Sequence, residues 1–396
     1  MKNRIAYFSV AYTLLILMLG TNLPSPLYEL YRQQWNFSTG TLTFIFAIYV
    51  FFLIPSLLIF GRISDFLGRK PVLLLGLSLA LSSSILFILA KNIFWLFLAR
   101  SIQGIAVGII SGTATAALSE IQANKAKAAL VTSTTAAGGG ALGPIVSGIL
   151  AQYSPWPTTL PFVVHISLIV PAILGILLTP ETVKRQKVKL FSILYFNLNI
   201  PSKIRHFFAI SSATAFVAWS IAALFMALVP SYLSILLNIK NSAIGGSVVF
   251  AFLLTSLISQ IINRKAKFTK LIPTGLFMLI LCLISIIISV PLNSFYPFMF
   301  GTFVGGIGLG LAFLGSMVLV NEVAPADKRG EVISSFYSIL YLGVGLPIIG
   351  VGLLSQFLGL YLSILFFSLV SGFLALGIIY LFVFKSNIIM PNQSKQ

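Results

Sequence analysis

The chain has 396 residues, of which 58% are hydrophobic and only 8% are charged, and its mean hydropathy is +1.04. About a quarter of the residues of a soluble domain are charged, so this composition excludes an ordinary soluble protein and predicts a chain embedded in a lipid bilayer. A single cysteine, Cys282, excludes a disulfide scaffold. The net charge of +18 comes from basic residues in short clusters between apolar runs, a pattern that favours membrane orientation over nucleic-acid binding.

Twelve apolar runs are each long enough to cross a membrane, for which about 20 residues are needed. The predicted spans are 6–31, 41–60, 71–90, 94–117, 128–152, 159–179, 207–236, 242–262, 271–290, 295–321, 332–356 and 359–384. Lys2 and Arg4 precede the first span, as they would in a signal peptide, but no A-x-A-like cleavage site follows it. We therefore predict an all-α membrane protein whose first helix is retained.

The basic residues predict the orientation of these spans. Twenty-one of them fall on one side of the membrane, at the two termini, in the loops after the even-numbered spans and in the middle loop, which carries Lys184, Arg185, Lys187, Lys189, Lys203 and Arg205. The other side has only Arg32, Lys91 and Lys240, while Arg100 lies within the fourth span. Since positively charged loops stay inside, we expect a multi-pass protein of the cell (inner) membrane with both termini in the cytoplasm.

The longest polar connection lies near the midpoint of the chain and predicts two pseudo-symmetric halves. The predicted organisation is an N-terminal six-helix bundle over 1–180, a cytoplasmic middle loop over 181–205 and a C-terminal six-helix bundle over 206–396. Residues that recur at an offset of 202 are Gly104 with Gly306, Gly108 with Gly310, Glu120 with Glu322, and Gly148 with Gly350. At an offset of 206, Pro24-Ser25 recurs as Pro230-Ser231. Internal repeats of this kind are typical of transporters.

The loop after the second span carries the most specific local pattern. It reads Gly61-Arg62-Ile63-Ser64-Asp65-Phe66-Leu67-Gly68-Arg69-Lys70. This loop resembles the signature of the major facilitator superfamily, G-x-L-A-D-R-x-G-R-[KR], and the matching residues are Gly61, Asp65, Gly68, Arg69 and Lys70. The resemblance implies a major facilitator fold in which Asp65 belongs to a cytoplasmic gate and meets the N-terminal end of the eleventh helix, where a carboxylate is favoured. A basic turn that only sets the topology is the alternative.

The fourth span contains Arg100-Ser101-Ile102-Gln103-Gly104, which resembles the R-x-x-Q-G motif of drug antiporters in the same superfamily. The resemblance implies that Arg100, Gln103 and Gly104 take part in proton coupling. At 1.5 Å per residue Arg100 lies about 9 Å below the outer end of its helix. A charge at that depth marks a functional path or a paired network, although an arginine there could also reach the outer surface.

The fifth span contains Gly139, Gly143, Pro144 and Gly148, in a pattern similar to the antiporter signature G-x-x-x-G-P-x-x-G-G with Ser147 in place of one glycine. The resemblance implies export rather than uptake. Close packing of small residues between helices is the alternative explanation.

Proton coupling needs a titratable group, and of the seven acidic residues only Glu29 is predicted to lie away from a cytoplasmic end. We expect Glu29 to bind the proton and Arg100 to find its acceptors in Glu29 and in Asn22, the deep polar residue of the first span. Glu29 could instead be an interfacial residue. His165, which titrates near neutral pH, is the second candidate, with a packed histidine as its alternative.

The resemblance also predicts the walls of a central cavity, for which the candidates are Asn22, Tyr28, Tyr49, His165 and Trp219. Aromatic belts and lipid contacts account for many such rings in any membrane protein. The sequence contains no phosphate-binding loop and no metal-ligand pattern, so we expect no cofactor and no metal.

These patterns predict a secondary transporter that exports a small amphipathic molecule, a drug-like compound or a metabolite, in exchange for protons by alternating access between two halves. We expect it to act as a monomer, without nucleic acid. The main alternative is an importer or facilitator of a sugar, an amino acid or another metabolite. A polytopic membrane enzyme is a remote alternative, because such enzymes usually need paired acids or a His/Asp pair at a membrane face.

Overall fold

The computed structural model describes residues 2–122, 124–183, 200–325 and 328–389. In these ranges all regular secondary structure is helical. The helices are α1 (Lys2–Asn22), α2 (Pro24–Trp35), α3 (Thr39–Leu67), α4 (Arg69–Ile88), α5 (Ile93–Ile121), α6 (Lys125–Tyr153), α7 (Leu160–Leu178), α8 (Arg205–Leu236), α9 (Ser242–Ile262), α10 (Phe268–Ser289), α11 (Phe295–Val323) and α12 (Arg329–Ile389), with a short 3-10 turn at Ser202–Ile204. The middle-loop bases at 184–199, and also Asp327 and Lys395, lie outside the described residues.

Eleven segments of the described chain are long and apolar enough to cross a membrane, and they match the predicted spans. The eleventh segment, Arg329–Val383, contains the last two predicted spans. The two spans form the continuous helix α12, which changes direction at Gly359. Gly359 has a φ of 77°, a conformation that glycine adopts without the steric penalty of a side chain. The predicted all-α membrane fold is therefore confirmed.

The first predicted span is divided into α1 and α2 at Leu23. Pro24 and Pro26 follow directly, and a proline has no backbone N–H with which to continue the helical ladder. The last amide before the prolines, that of Leu23, donates to the carbonyls of Leu19 and Gly20 at 3.2 and 3.3 Å. The break leaves carbonyl groups in the middle of the first span that need donors from elsewhere.

Glycines bring two helices into direct backbone contact with α1 and α3: α6 contacts α1, and α5 contacts α3. A Cβ atom at Gly139 of α6 would lie 2.2 Å from the carbonyl oxygen of Leu15, and one at Gly143 would lie 2.4 Å from that of Leu19. On α5, a Cβ atom at Gly104 would lie 2.2 Å from a backbone oxygen of α3. Any side chain at these positions would force the helices apart, so glycine spacing fixes which helices are neighbours.

Equivalent contacts occur at the repeated glycines. A Cβ atom at Gly108 of α5 would lie 2.7 Å from the carbonyl oxygen of Leu53 on α3. At Gly310 of α11 it would lie 2.4 Å from that of Ser256 on α9. The tenth span thus packs on the eighth as the fourth packs on the second, which agrees with the offset of 202.

The described chain divides into two compact units. The first holds the described residues up to 183 together with 226–253, and the second holds 200–225 together with those from 254 onward. The C-terminal part of α8 and the N-terminal part of α9 therefore pack with the first six spans. The predicted domain boundaries at 180 and 206 remain a prediction.

Candidate functional site

Arg100 is a fully buried charge, 1% exposed, on α5. Its Nη1 donates to the carbonyl oxygen of Thr21 at 3.0 Å and to Oε1 of Gln103 at 2.5 Å, and its Nη2 donates to the carbonyl oxygen of Phe46 at 3.2 Å. The guanidinium carbon lies 4.2 Å from the centre of the Tyr49 ring. All these partners are neutral, so carbonyl dipoles and an aromatic face stabilise the charge.

The prediction that Arg100 binds Asn22 and Glu29 is wrong. The break before Pro24 supplies a different acceptor, because the carbonyl of Thr21 lies where the α1 ladder ends. The amide of Asn22 and the carboxylate of Glu29 have other partners, as described below.

The other two residues of the R-x-x-Q-G pattern complete the same junction. Gln103 receives a hydrogen bond from Arg100 and donates from Nε2 to the carbonyl oxygen of Gly20 at 2.9 Å. Gly104 allows α5 to approach the backbone of α3 at Tyr49. The motif therefore joins α5 to both α1 and α3 at the level of the helix break.

Glu29 is a buried carboxylate, 5% exposed, on α2. Its oxygens accept from Nε and Nη2 of Arg32 at 2.8 and 2.7 Å and from Nε2 of Gln33 at 2.8 Å. The hydroxyl of Ser231 on α8 donates to Glu29 Oε2 at 2.5 Å. Glu29 is thus buried within the protein, and its bond to Ser231 connects α2 with α8.

A second contact joins α6 to α9 in the same unit. A Cβ atom at Gly148 would lie 2.6 Å from the carbonyl oxygen of Ser242, and one at Gly246 would lie 2.1 Å from that of Pro144. The backbone N–H of Ser242 donates to Oε1 of Gln152 at 2.9 Å. The antiporter-like motif thus contacts α1 at one end and α9 at the other.

Arg69, 7% exposed, is the centre of the loop between α3 and α4. Its Nη2 lies 2.6 Å from Oδ1 of Asp65 and 2.7 Å from Oε1 of Glu120 on α5, and its Nη1 donates to the hydroxyl of Ser64. At Gly61, by contrast, a Cβ atom would meet no heavy atom within 4 Å, so packing does not require glycine there. The ion pairs connect α3, α4 and α5 through one guanidinium.

Glu181 caps the N-terminus of α4. Its two oxygens accept from the backbone N–H groups of Arg69 at 2.8 Å and Lys70 at 3.2 Å, where the helix dipole favours a negative charge. Gly68 has a φ of 98°, and a Cβ atom there would lie 2.3 Å from Glu181 Oε2. Glycine at position 68 therefore allows the positive φ of the turn and leaves room for the Glu181 carboxylate that caps α4. Lys70 donates from Nζ to the carbonyl oxygen of Leu177.

Two of the predicted cavity residues have buried donors without a hydrogen-bond partner among the described residues. They are the hydroxyl of Tyr28 and the indole N–H of Trp219. The Tyr28 ring stands edge-on to Phe46 at 6.3 Å, and the Trp219 ring stands edge-on to Phe313 at 5.7 Å. Buried donors normally have an acceptor, so these two groups are exceptions.

His165 is packed inside the first unit, 2% exposed. Its Nε2 lies 3.0 Å from the carbonyl oxygen of Ile16, which can only accept, so Nε2 carries a proton. Its Nδ1 lies 2.8 Å from the hydroxyl of Ser84. Gly20 leaves the room for the ring, since a Cβ atom there would lie 2.1 Å from it. This environment corresponds to the packed alternative.

The second unit contains an open cavity of about 500 Å³, lined by Met317, Val318, Asn321, Glu322 and Arg329. Its acid, Glu322, is the counterpart of Glu120 at the offset of 202. Glu120 is bound to Arg69, whereas no Lys or Arg nitrogen of the described residues lies within 4 Å of the exposed Glu322 carboxylate. The repeat therefore presents a paired acid in one unit and an accessible one in the other.

The sequence profile of the Major Facilitator Superfamily matches residues 10–346. The chain belongs to this superfamily. It is 26% identical over 339 residues to the multi-drug resistance efflux pump PmrA of Streptococcus pneumoniae, covering 82% of this chain and 81% of the pump. It is 33% identical over 139 residues to an uncharacterised transporter of Rickettsia bellii and 26% identical over 163 residues to the riboflavin transporter RibZ of Clostridioides difficile. The chain spans about a third of the length of each of these two relatives (33% and 35%) and matches them over 33% and 40% of its own.

Solved structures of other transporters share the fold. A bacterial homologue of the human lysosomal transporter Spinster, crystallised in an inward-facing and unoccupied conformation, has a TM-score of 0.76 at 12% identity and covers 96% of this chain and 98% of its own. A POT family transporter in complex with 5-aminolevulinic acid has a TM-score of 0.78 at 14% identity and covers 95% of both chains. Family and fold of this major facilitator protein are those of transporters, not enzymes.

Sequence reasoning missed two acids in the network around Arg69. Glu120 and Glu181 were counted only as charges near cytoplasmic ends, but they bind the side chain and the backbone of Arg69. A signal was available, since each acid follows an apolar span and faces a loop rich in bases. Ser231, the partner of Glu29, had no such signal beyond the repeated Pro-Ser pair.

The paired and the accessible acid should respond differently to neutralisation. Glu120→Gln should lower the free energy of unfolding by about 1 kcal/mol, because it removes one partner of a charged hydrogen bond that solvent partly screens. Glu322→Gln, the matched control, should leave it unchanged. Thermal unfolding of both purified variants in detergent checks this, and equal melting temperatures for the two would contradict the assigned Arg69–Glu120 pair.

Proposed function

We propose that this transporter exports a small amphipathic molecule, a drug-like compound or a metabolite, in exchange for protons by alternating access. The observation that carries the proposal is the similarity to a multi-drug efflux pump along four-fifths of both chains. Major facilitator transporters move many kinds of solute, so the family alone does not favour export. The pump and the antiporter-like motif favour it together.

The fifth-span motif supports export through its position in the structure. Gly139 and Gly143 hold α6 against the backbone of α1, and Gly148 lies against α9. Pro144 stands between these contacts. A helix with a proline between two close contacts is suited to change its bend, which an alternating-access cycle requires.

Glu29 is the proposed proton-binding residue. Within the described membrane spans it is a buried carboxylate, and its bond to Ser231 links α2 to α8. A proton on Glu29 would remove the negative charge that binds Arg32. It would also remove one of the hydrogen-bond acceptor positions of the carboxylate. Protonation would therefore weaken the α2–α8 contact, which is a physical way to link proton binding to opening on the predicted outer side.

The proposed ligand contacts are polar groups within apolar walls. In the first unit, the unpartnered hydroxyl of Tyr28 is the proposed donor to an acceptor on the substrate. In the second unit, the carboxylate of Glu322 beside Met317 and Val318 suits the entry of an amphipathic cation from the predicted cytoplasmic side. Asp65, which is half-exposed beside Arg69, remains the proposed gate residue.

A metabolite importer or facilitator is the second candidate. The similarity over 163 residues to a riboflavin transporter favours it. An exporter and a proton-driven importer differ in the direction in which a proton gradient drives accumulation, and a facilitator gives no accumulation.

Substrate counterflow in proteoliposomes tests whether the chain is a carrier at all. Purified protein should exchange a labelled compound from a panel that includes ethidium, antibiotics and riboflavin, and the compound should be recovered chemically unchanged. Conversion of the compound would support the enzyme alternative. Failure to exchange any panel member would contradict the proposed substrate class.

The proposed orientation is tested by thiol labelling in a Cys282→Ser background. Lys265→Cys, in the loop between α9 and α10, should resist an impermeant thiol reagent in intact cells, because basic loops stay inside. Lys91→Cys, in the loop between α4 and α5, is the matched control and should label at once. The opposite pattern would reverse the topology.

A further inference from the structure

Four of the prolines in the membrane helices free a backbone carbonyl that a side chain of another helix contacts. A proline has no N–H, so the carbonyl four residues earlier loses its usual hydrogen bond. The prolines and the carbonyls they free are Pro24 with Gly20, Pro144 with Gly140, Pro230 with Met226, and Pro347 with Gly343. In a bilayer such a carbonyl has to be satisfied by a neighbouring group.

In the first unit, side chains of other helices donate to three of these carbonyls, of which that of Gly20 also accepts from the Leu23 N–H at 3.3 Å. Nε2 of Gln103 donates to the Gly20 carbonyl at 2.9 Å, and Nδ2 of Asn22 donates to the Gly140 carbonyl at 3.0 Å. The hydroxyl of Ser25 donates to the Met226 carbonyl. Each of these bonds comes from a different helix than the carbonyl it satisfies.

The second unit repeats the arrangement. The hydroxyl of Ser220 on α8 lies 3.0 Å from the Gly343 carbonyl of α12, while it also lies 2.6 Å from the carbonyl of Phe216 in its own helix. A Cβ atom at Gly343 would lie 2.6 Å from the Phe216 oxygen. The first span of each predicted half therefore donates to the fifth span of the same half, next to a glycine contact.

The bonds to the freed carbonyls differ from the usual hydrogen bond of a buried hydroxyl in a helix. Many buried hydroxyls of the described residues donate to the carbonyl four residues earlier in their own helix, as Thr21, Thr113 and Thr302 do. That is the ordinary choice in a membrane helix. Gln103, Asn22 and Ser25 reach across to another helix instead. Ser220 combines the bond within its own helix with a contact to Gly343, and all four side chains meet carbonyls that prolines free.

We propose that a side-chain hydrogen bond to the carbonyl that a proline frees holds the bent helix to its neighbour, an interaction we name the clasp. Its positioning residues are Gln103, Asn22, Ser25 and Ser220. The clasp holds through one side-chain bond, so it can be released without breaking a helical ladder. Ser220 with Pro347 is then the second-half counterpart of Asn22 with Pro144, and neither pair needs to touch the substrate. This inference goes beyond the proposed function, because it holds for export and import alike.

A double-mutant cycle on Ser220 and Pro347 tests the clasp directly. Ser220→Ala should lower the melting temperature of the purified protein by about 2 °C, because it removes one donor from a buried carbonyl. Pro347→Ala restores the N–H that satisfies Gly343 within α12, so Ser220→Ala should have less than half that effect in the Pro347→Ala background. Equal effects in both backgrounds would overturn the proposal.

Two controls separate a clasp from general packing. Pro171 lies on an exposed face of α7, so Pro171→Ala should not suppress the effect of Ser220→Ala. Ser220→Thr keeps the hydroxyl and should restore the melting temperature. Suppression by Pro171→Ala, or failure of the threonine rescue, would show that the serine acts through packing alone.

Ethidium counterflow adds a measurement of transport kinetics that a change in stability alone would not alter. Ser220→Ala should reduce the maximal exchange rate about threefold or more with an unchanged KM, and Pro347→Ala should remove this difference. An altered KM would place Ser220 at the substrate and contradict a positioning role. If the unmodified chain fails to exchange ethidium, the proposed function loses support, while the melting-temperature cycle still decides the clasp.

Discussion

Glu29→Gln should abolish proton-driven transport and leave substrate counterflow. Glutamine keeps the shape of the side chain and a carbonyl that can accept from Ser231. It has no titratable group and no negative charge to pair with Arg32. Because counterflow needs no net proton movement, only the gradient-driven mode should be lost, by about 100-fold or more if Glu29 is the sole carrier. Parallel measurement of the two modes in proteoliposomes checks this.

Ser231→Ala is the matched control for this experiment. It removes the bond between α2 and α8 but leaves the carboxylate and its arginine in place. We expect slower transport that still responds to the proton gradient. If Glu29→Gln keeps full gradient-driven transport, Glu29 is not the proton carrier and His165 becomes the next candidate.

Arg100→Ala should reduce both modes of transport, by about 100-fold. The substitution removes the donor to the carbonyls of Thr21 and Phe46, and unsatisfied buried groups cost about 1–3 kcal/mol each. It also removes the charge that lies over Tyr49. Arg100→Lys should not rescue transport, because an ammonium lacks the planar fork that reaches two helices at once.

The comparison variant for Arg100 is Ser101→Ala, on the same helix. The Ser101 hydroxyl donates only to the carbonyl of Phe97 in its own turn, so its removal should leave transport within about twofold. Size-exclusion profiles of both variants check that the fold is kept. Near-normal transport by a well-folded Arg100→Ala protein would contradict the role assigned to the α1–α3–α5 junction.

The spans could be predicted from the sequence because bilayer thickness fixes their length and composition. The hydropathy profile does not locate the break at Leu23, although the prolines Pro24 and Pro26 indicate a helix break there. The Gly359 bend was predicted only as a gap between two apolar runs. Hydropathy averages over about 19 residues, whereas a single residue makes each of these features.

The partners of the site residues were harder to predict than the residues themselves. Arg100 was predicted as buried and functional, but its acceptors are backbone carbonyls, which have no signature in the sequence. Glu29 was predicted as the acid of the first span, and its partner Arg32 lies three residues away on the same helix face, where such pairs form readily. Glu120 and Arg69 are 51 residues apart, so only the fold shows that they meet.

A pH-gradient experiment in proteoliposomes tests the central claim, proton-driven export, most directly. Vesicles with an acidic interior, with the membrane potential clamped by valinomycin at equal potassium concentrations, are given external ethidium. Antiport predicts accumulation of ethidium inside as protons leave, no accumulation when nigericin collapses the gradient, and none with Glu29→Gln. Accumulation only in vesicles with an alkaline interior would indicate symport, and equilibration without accumulation would indicate a facilitator; either result would contradict the account.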